Sequence, residues 1–276
     1  MSSRQPSERL TESEVNIMNA QTRLMMALPA MVLLGQPVEA QSQQSSMFTS
    51  KQCNEYALEL RLDPRPFQDF VGPRFSLALV EGKARVVIIV HDCSQLWIDG
   101  RDVGPAQEVR VWVSIRGLDD VRPVVGAEQT PPTRTWFSLL EGSSNPLVYK
   151  VKTAAGIAET PVDSVILDPP GRQGGGRVYL NGNLALSWHV PSPAAPSARL
   201  LGLNLDVYRR DSTGSVVLNR IQALVHVTAD PSPGTLEVLG HPGAVPLISP
   251  GTYPVSVRMF FPMWSRATLG LSRQTH

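Results

Sequence analysis

The stretch that decides the fold is Ala84-Arg85-Val86-Val87-Ile88-Ile89-Val90. Its unbroken run of β-branched aliphatic residues favours a strand over a helix. A continuous apolar run, without polar alternation, is typical of a central strand that is buried on both faces. Glu81-Gly82-Lys83 precedes it as a turn, and Phe75–Val80 supplies the other arm of a hairpin. We therefore expect a β-rich core to be built around residues 84–90.

The neighbouring segments carry strand patterns of their own. Residues 56–62 alternate apolar and polar side chains, which is the period of a half-buried strand. Residues 108–116 alternate more strictly, with three valines and Ile115 on one face and Glu108, Arg110 and Trp112 on the other. These two segments predict strands that flank the central one.

The second half of the chain repeats the strand pattern. Asn181-Gly182 is the preferred pair for a tight hairpin turn, and Asp211-Ser212-Thr213-Gly214 predicts a longer one. Helical periodicity is scarce: residues 133–140 could form one or two helical turns, and the pattern of residues 148–156 is ambiguous. The predicted fold class is all-β and mainly antiparallel, a large sandwich or barrel-like structure, with the alternative of two packed β lobes.

A loop rich in Pro and Gly divides the strands into two groups. We expect a β-rich lobe 1 at residues 51–168, a linker or loop at 169–176 and a β-rich lobe 2 at 177–276. The run Gly174–Gly176 lacks the Lys-Ser/Thr of a phosphate-binding loop, so we interpret it as a flexible segment. One continuous antiparallel structure or two packed lobes is favoured over two independent domains.

The first forty residues indicate targeting. Residues 18–40 have the form of a signal peptide: Arg23, then the apolar run 24–34, then the cleavage pattern Val38-Glu39-Ala40. The run is too short for the roughly 20 residues of a membrane span, which makes an anchor the weaker alternative. Residues 1–17 are interpreted as a start-site extension and 41–50 as a flexible mature N-terminus. The sequence thus predicts a secreted or periplasmic protein.

Export bears on the two cysteines of the chain. In an oxidising compartment, Cys53 and Cys93 are expected to form a disulfide, which would stabilise the fold by a few kcal/mol in the chain-entropy model. Two free thiols or a catalytic cysteine are the alternative. Neither cysteine has the spacing of a metal site.

Composition narrows the partners. The chain has 25 basic and 24 acidic residues without a basic run, which argues against nucleic acid. No segment outside the export signal predicts a transmembrane span. No nucleotide loop or metal-binding motif is present, so no cofactor and no metal are predicted. The expected partner is a small apolar ligand or an envelope protein.

Catalytic motifs are also missing, and only weak candidates remain. His91 and Asp92 follow the central strand, where a histidine and a carboxylate could form an acid–base pair. Adjacent strand residues point to opposite faces, so these two would meet only at a bulge or a strand end. His189 closes a later strand and is the third candidate. A structural role is the competing interpretation for each.

Three functions are compatible with these observations. The leading hypothesis is an exported, non-catalytic ligand-binding or interaction protein. The first alternative is an exported enzyme whose site is assembled from separate strands around His91 and Asp92. The second is an envelope assembly component that uses its edge strands and the aromatic tail Phe260–Trp264.

Overall fold

The computed structural model describes residues 46–117, 122–154, 159–168, 174–211, 213–228, 230–239 and 245–270. The predicted start-site extension, signal peptide and cleavage site lie outside these residues. None of the helices in these ranges is long and apolar enough to span a membrane.

Strands dominate the described part of the chain, as predicted. The first six are β1 (Ser46–Leu62), β2 (Leu79–Val80), β3 (Lys83–Ile98), β4 (Arg101–Ser114), β5 (Arg134–Ser143) and β6 (Thr160–Leu167). The second six are β7 (Gly174–Leu180), β8 (Asn183–Val190), β9 (Pro196–Arg210), β10 (Val216–Thr228), β11 (Ser232–Val238) and β12 (Gly251–Gly270). The short helices are α1 (Pro64–Val71) and α2 (Pro146–Ala154). The all-β, mainly antiparallel fold class is therefore confirmed.

The strands form one sheet that closes on itself. Its order is β1-β3-β4-β5-β6-β7-β8-β11-β12-β10-β9, with further pairings of β1 with β12 and of β5 with β9. Two rings result, which share β12, β1, β3, β4 and β5. The first ring is completed by β6, β7, β8 and β11, and the second by β10 and β9. Closure of this kind leaves few unpaired strand edges.

The shared strands bury both of their faces because each face looks into a different ring. Ile88, Val90 and Val111 belong to the larger apolar core, to which strands of the first ring contribute. Val87 and Trp112 belong to a smaller core that also includes residues of β5, β9 and β10. This arrangement explains why residues 84–90 are apolar without alternation. Fully burying each such side chain is worth about 2 kcal/mol.

Turn chemistry sets the hairpins. Asn181 and Gly182 have φ angles of 52° and 76°, the left-handed conformation that a type I′ turn requires. The Glu81-Gly82 turn has the same geometry, with φ angles of 52° and 75°. Both predicted hairpins are confirmed.

Two local predictions were wrong, and one helix was missed. Residues 133–140 form most of β5 rather than a helical turn, since they pair with β4 and with β9. Helix α1 was missed, although Asp63 caps it by accepting from the Arg65 backbone N–H at 3.1 Å. The glycines 174–176 are not a flexible segment but strand residues of β7. A Cβ on Gly176 would overlap the ring of Trp188, so close packing requires glycine there.

The predicted disulfide is confirmed. Cys53 of β1 lies directly opposite Cys93 of β3, and the two sulfurs are bonded. Side-chain alternation places this disulfide on the face that carries Glu55 and His91. Strand β1 begins at Ser46, within the segment 41–50 that was expected to be flexible.

Candidate active site

Ionisable side chains gather inside the second ring, next to its smaller apolar core. We call them the charged cluster: His91 of β3, Glu108 and Arg110 of β4, Glu141 of β5, Lys152 of α2, Glu159 before β6, and Arg209 of β9. The pleat of β4 explains why Glu108 and Arg110 both belong to the cluster. Glu108, Arg110 and Trp112 share the face opposite Val109, Val111 and Val113, as the sequence pattern predicted.

Helix α2 delivers Lys152 into the cluster. Asn145 precedes the helix, and its side-chain oxygen accepts from the backbone N–H groups of Leu147 and Val148 at 3.0 and 3.3 Å. The amide nitrogen of Asn145 donates to two carbonyl oxygens of β4, which fixes the helix start against that strand. Val148 and Lys152 lie one turn apart and are both buried, so the inward face of α2 ends in an amine.

Lys152 lies among three carboxylates. Its Nζ is 2.8 Å from Glu159 Oε1, 3.2 Å from Glu108 Oε1 and 3.3 Å from Glu141 Oε2. The residue is only 5% exposed. Burial on its own lowers the pKa of Lys152, but the three carboxylates outweigh it and raise the pKa above its ordinary value. The resting amine is therefore an ammonium.

Glu108 connects Lys152 to the other side of the cluster. Its Oε2 contacts His91 Nε2 and Arg110 Nη2, each at 2.5 Å. Burial raises the pKa of Glu108, but Arg110, Lys152 and His91 together hold it well below its usual range. His91 also faces Glu55 of β1 across 3.6 Å. Burial and Arg110 lower the pKa of His91, while Glu108 and Glu55 raise it on balance.

Two further carboxylates have opposite environments. Burial raises the pKa of Glu141, but Arg209 and Lys152 reverse this and lower it to about 2. For Glu159, burial outweighs the attraction of Lys152 and leaves the pKa above its ordinary value. Glu159 is therefore the carboxylate of the cluster that most readily takes up a proton, while Glu108 and Glu141 remain ionised.

A small cavity of about 30 Å³ opens among these groups. Its wall contains Asn219 and the charged side chains of Glu108, Arg110, Glu141, Lys152 and Arg209. Arg209 Nη1 is 2.9 Å from Glu141 Oε2, yet no nitrogen of its guanidinium makes a hydrogen bond of normal geometry among the described residues. The side-chain oxygen of Asn219 is likewise unsatisfied there. Buried polar atoms without partners are costly, so the cavity favours a polar guest.

The structure separates the sequence-predicted candidates. His91 belongs to the charged cluster, paired with carboxylates of β1 and β4. Asp92 points to the opposite face and lines a different cavity with Tyr56 and Asp168, as strand alternation predicts. His189 is exposed on β8, where it pairs with Gly175 and Thr235. No three or more His, Cys, Asp or Glu residues in the described ranges are placed to hold a metal ion.

Sequence reasoning missed Lys152, Glu108, Glu141 and Arg209. Two signals were available. Lysine is rare in this chain, with four lysines against 21 arginines, and Lys152 follows an apolar position by one helical turn. Glu108 and Arg110 share a strand face with Trp112, which is unusual for a face that only contacts water.

Comparison with known proteins identifies the fold. No protein-family model and no curated protein sequence matches the chain. Among solved structures, the enduracididine biosynthesis enzyme MppR with HEPES bound is 11% identical with a TM-score of 0.52, covering 83% of this chain and 86% of that one. MppR in complex with pyruvate is 12% identical with a TM-score of 0.52, covering 87% and 96%. An acetoacetate decarboxylase from Legionella pneumophila is 13% identical with a TM-score of 0.48, covering 96% of each chain. Likeness at these identities concerns the fold.

These findings correct the leading functional hypothesis. The leading interpretation was an exported, non-catalytic binding or interaction protein, with an exported enzyme around His91 and Asp92 and an envelope assembly component as alternatives. Its fold is shared with MppR, which is an enzyme. The strands also bring His91 and the carboxylate of Glu108 together beside a cavity with a buried lysine. The non-catalytic interpretation is therefore wrong, and its physical error was to treat missing short motifs as a missing site.

Proposed function

We propose that this chain is an enzyme that forms an imine between Lys152 and a small carbonyl compound carrying a carboxylate. The observation that carries the proposal is the position of Lys152 Nζ, buried at a cavity wall within 3.3 Å of three carboxylates. Lysine amines form Schiff bases with carbonyl substrates. Burial also protects such an adduct from bulk water.

Glu159 is the proton acceptor in this scheme. Lys152 must lose a proton before it can attack, and Glu159 Oε1 lies 2.8 Å from Nζ. The raised pKa of Glu159, set by burial, contrasts with the lowered pKa values of Glu108 and Glu141. When neighbouring carboxylates have different pKa values, one of them can transfer protons while the others remain ionised and stabilise charge. Glu159 therefore exchanges the proton, and the other two stay negative.

The covalent step balances with these groups. The neutral amine of Lys152 attacks the carbonyl carbon, and the adduct nitrogen passes a proton to the former carbonyl oxygen. Glu159 returns its proton to that hydroxyl, which leaves as water, and a C=N bond with a positively charged nitrogen remains. Glu108 and Glu141 stabilise this iminium because it carries the same charge, at the same place, as the resting ammonium.

Arg209 supplies the anchor for the substrate carboxylate. Its guanidinium lines the cavity and lacks hydrogen bonds of normal geometry among the described residues. Arginine binds carboxylates through paired, charge-assisted hydrogen bonds. A cavity of about 30 Å³ holds about two water molecules, so the substrate is small and its entry displaces lining side chains. Pyruvate, which MppR binds, is the first compound to test.

The experiment is reductive trapping. Protein incubated with pyruvate and sodium borohydride should gain one reduced adduct, located by peptide mapping. Only Lys51, Lys83, Lys150 and Lys152 can carry it as side chains, so the assignment is simple. The Lys152→Arg variant should lose the adduct. Lys150→Arg is the matched control, since Lys150 is exposed on the same helix and should leave trapping unchanged.

Two results would contradict the proposal. One is an adduct that persists in Lys152→Arg at the wild-type level. The other is the absence of trapping with a panel of small oxo acids and aldehydes while the protein remains folded, as judged by its circular dichroism.

We also propose that the chain is exported to a secreted or periplasmic location. The apolar run 24–34 and the cleavage pattern at Val38–Ala40 support it. The disulfide between Cys53 and Cys93 fits an oxidising compartment. N-terminal sequencing of protein purified from its host should begin at Gln41. A mature protein that retains residues 1–34 would refute export by this signal.

A further inference from the structure

A second cavity lies on the other side of β1 and β3 from the charged cluster. Its volume is about 130 Å³, and its polar lining includes Asn54, Tyr56, Asp92 and Asp168, with Phe261 as an aromatic wall. Asn54 and Asp92 are direct partners in the pairing of β1 with β3, so their side chains leave the same face. Asp168 follows the end of β6.

The charged side chains that line this cavity are acidic among the described residues. Asp92 and Asp168 line it, and neither has a cationic side chain within ion-pair distance among the described residues. Glu55 also lines the cavity but already faces His91 at 3.6 Å. No lysine or arginine of the described ranges forms part of the wall. Two carboxylates in one cavity wall, without a cationic side chain among the described lining residues, favour the binding of a cation.

Tyr56 gives an independent indication of a ligand. The residue is only 2% exposed, yet its hydroxyl has no hydrogen-bond partner of normal geometry among the described residues. Burial, and then the charge of Asp168, raises the pKa of this phenol, and a weaker interaction with the backbone of Gly175 opposes them, so the phenol remains neutral. A buried hydroxyl at a cavity wall is expected to find a partner inside the cavity.

Gly174 and Gly175 of β7 lie close to the side chains of Tyr56 and Asp168 and leave space for them. A Cβ on Gly174 would lie 3.3 Å from the Tyr56 hydroxyl, and one on Gly175 would lie 2.8 Å from Asp168 Oδ2. Side chains at these positions would press on the polar groups that line the cavity. A Cβ on Gly175 would also lie 2.5 Å from the backbone oxygen of Trp188 in the paired strand β8, so strand pairing and the cavity lining both favour glycine there.

We infer that this cavity binds a small organic ammonium ion. Asp92 and Asp168 supply the negative charge, the Tyr56 oxygen accepts from an ammonium N–H, and the faces of Tyr56 and Phe261 offer cation–π contacts. The lining favours an organic cation over a metal ion, because no metal-holding group of His, Cys, Asp or Glu exists in the described ranges. This site is separate from Lys152 and does not depend on imine formation.

The test is calorimetric titration of the whole protein with methylammonium chloride, against sodium chloride at equal ionic strength. Wild type should bind methylammonium with saturation. Asp168→Asn and Asp92→Asn should each weaken binding about fivefold, the effect of one partly exposed charge. Asp69→Asn is the matched control, because Asp69 is exposed on α1 away from the cavity, and it should bind as wild type does.

Further variants separate the contacts and the two sites. Tyr56→Phe should weaken methylammonium about threefold but leave tetramethylammonium, which has no N–H, nearly unchanged. Lys152→Arg should leave methylammonium binding intact, so a failure of this site and a failure of imine trapping are distinguishable. Binding that does not saturate, or that is equal in Asp168→Asn and Asp69→Asn, would overturn the inference.

Discussion

The two faces of β4 are both buried, but for different reasons. Val109, Val111 and Val113 pack into the apolar core of the first ring. On the other face, Glu108 is buried and Arg110 half-buried among charges in the second ring. The apolar face is stabilised by the area that it removes from water. The charged face is stable only as a complete set, because each ion was desolvated to enter it. The chemistry proposed for this chain lies on the face that is costlier to build.

Glu108→Gln should show the largest effect of this difference. The change is isosteric, but it leaves Lys152, Arg110 and His91 without their shared carboxylate. Breaking a buried ion pair on one side costs about 3–5 kcal/mol. Denaturant unfolding measures the loss. Glu237→Gln is the control, because Glu237 is exposed and should change the free energy of unfolding by less than about 0.5 kcal/mol. Equal effects of the two variants would mean that the charged face is not a connected set.

Removing the disulfide should have the next largest effect. Cys53 and Cys93 are 40 residues apart in sequence and lie on the charged face, two residues from Glu55 and His91. The double variant Cys53→Ala, Cys93→Ala should lose about 2–4 kcal/mol of stability. Hydrogen exchange should show the extra opening around residues 91–95 rather than around residues 58–60. An equal increase in hydrogen exchange at residues 91–95 and 58–60 would contradict the view that the disulfide stabilises the charged face.

A conservative change on the apolar face should cost less. Ile88 is fully buried in the larger core, and Ile88→Val removes one methylene. The expected loss is about 1 kcal/mol, from transfer free energy and a small cavity. Its measured effect should be smaller than that of Glu108→Gln, although both residues are buried. A larger loss of stability in Ile88→Val than in Glu108→Gln would contradict the difference between the two faces.

The smallest effect should be the pH dependence from His91. Its pKa is raised in the folded state above the ordinary 6.5. Its stabilising contribution is therefore complete below pH 6.5 and is lost as the pH rises through the folded pKa, because the native state holds the proton longer. Unfolding free energies from pH 6 upward should fall in wild type and fall less in His91→Gln. His189→Gln, at an exposed position, should keep the wild-type dependence.

Most of the architecture was readable from the sequence. The run Val86–Val90 indicated burial on both faces, and the alternation in residues 108–116 divided β4 as observed. Asn181-Gly182 predicted the hairpin between β7 and β8, and Cys53 and Cys93 predicted the disulfide; both are observed. These features are local, or rest on a single pair of residues, so a sequence pattern can carry them.

The charged cluster could not be read in the same way. It needs β5 beside β9 in parallel, and β12 beside β1, pairings between segments far apart in the chain. The pairing of β5 with β9 places Arg209 against Glu141, which also contacts Lys152. His91 was identified as a candidate, but with Asp92 as its neighbour. Its partners, Glu55 and Glu108, come from the adjacent strands instead.

The most direct measurement is a crystal structure of the protein after reduction with borohydride in the presence of pyruvate. Lys152 Nζ should be bonded to the former carbonyl carbon, with the carboxylate of the adduct on Arg209 and the nitrogen still between Glu108 and Glu141. An adduct on Lys150 or another surface amine, with the charged cluster unchanged and closed, would contradict the assignment of this cluster as the active site.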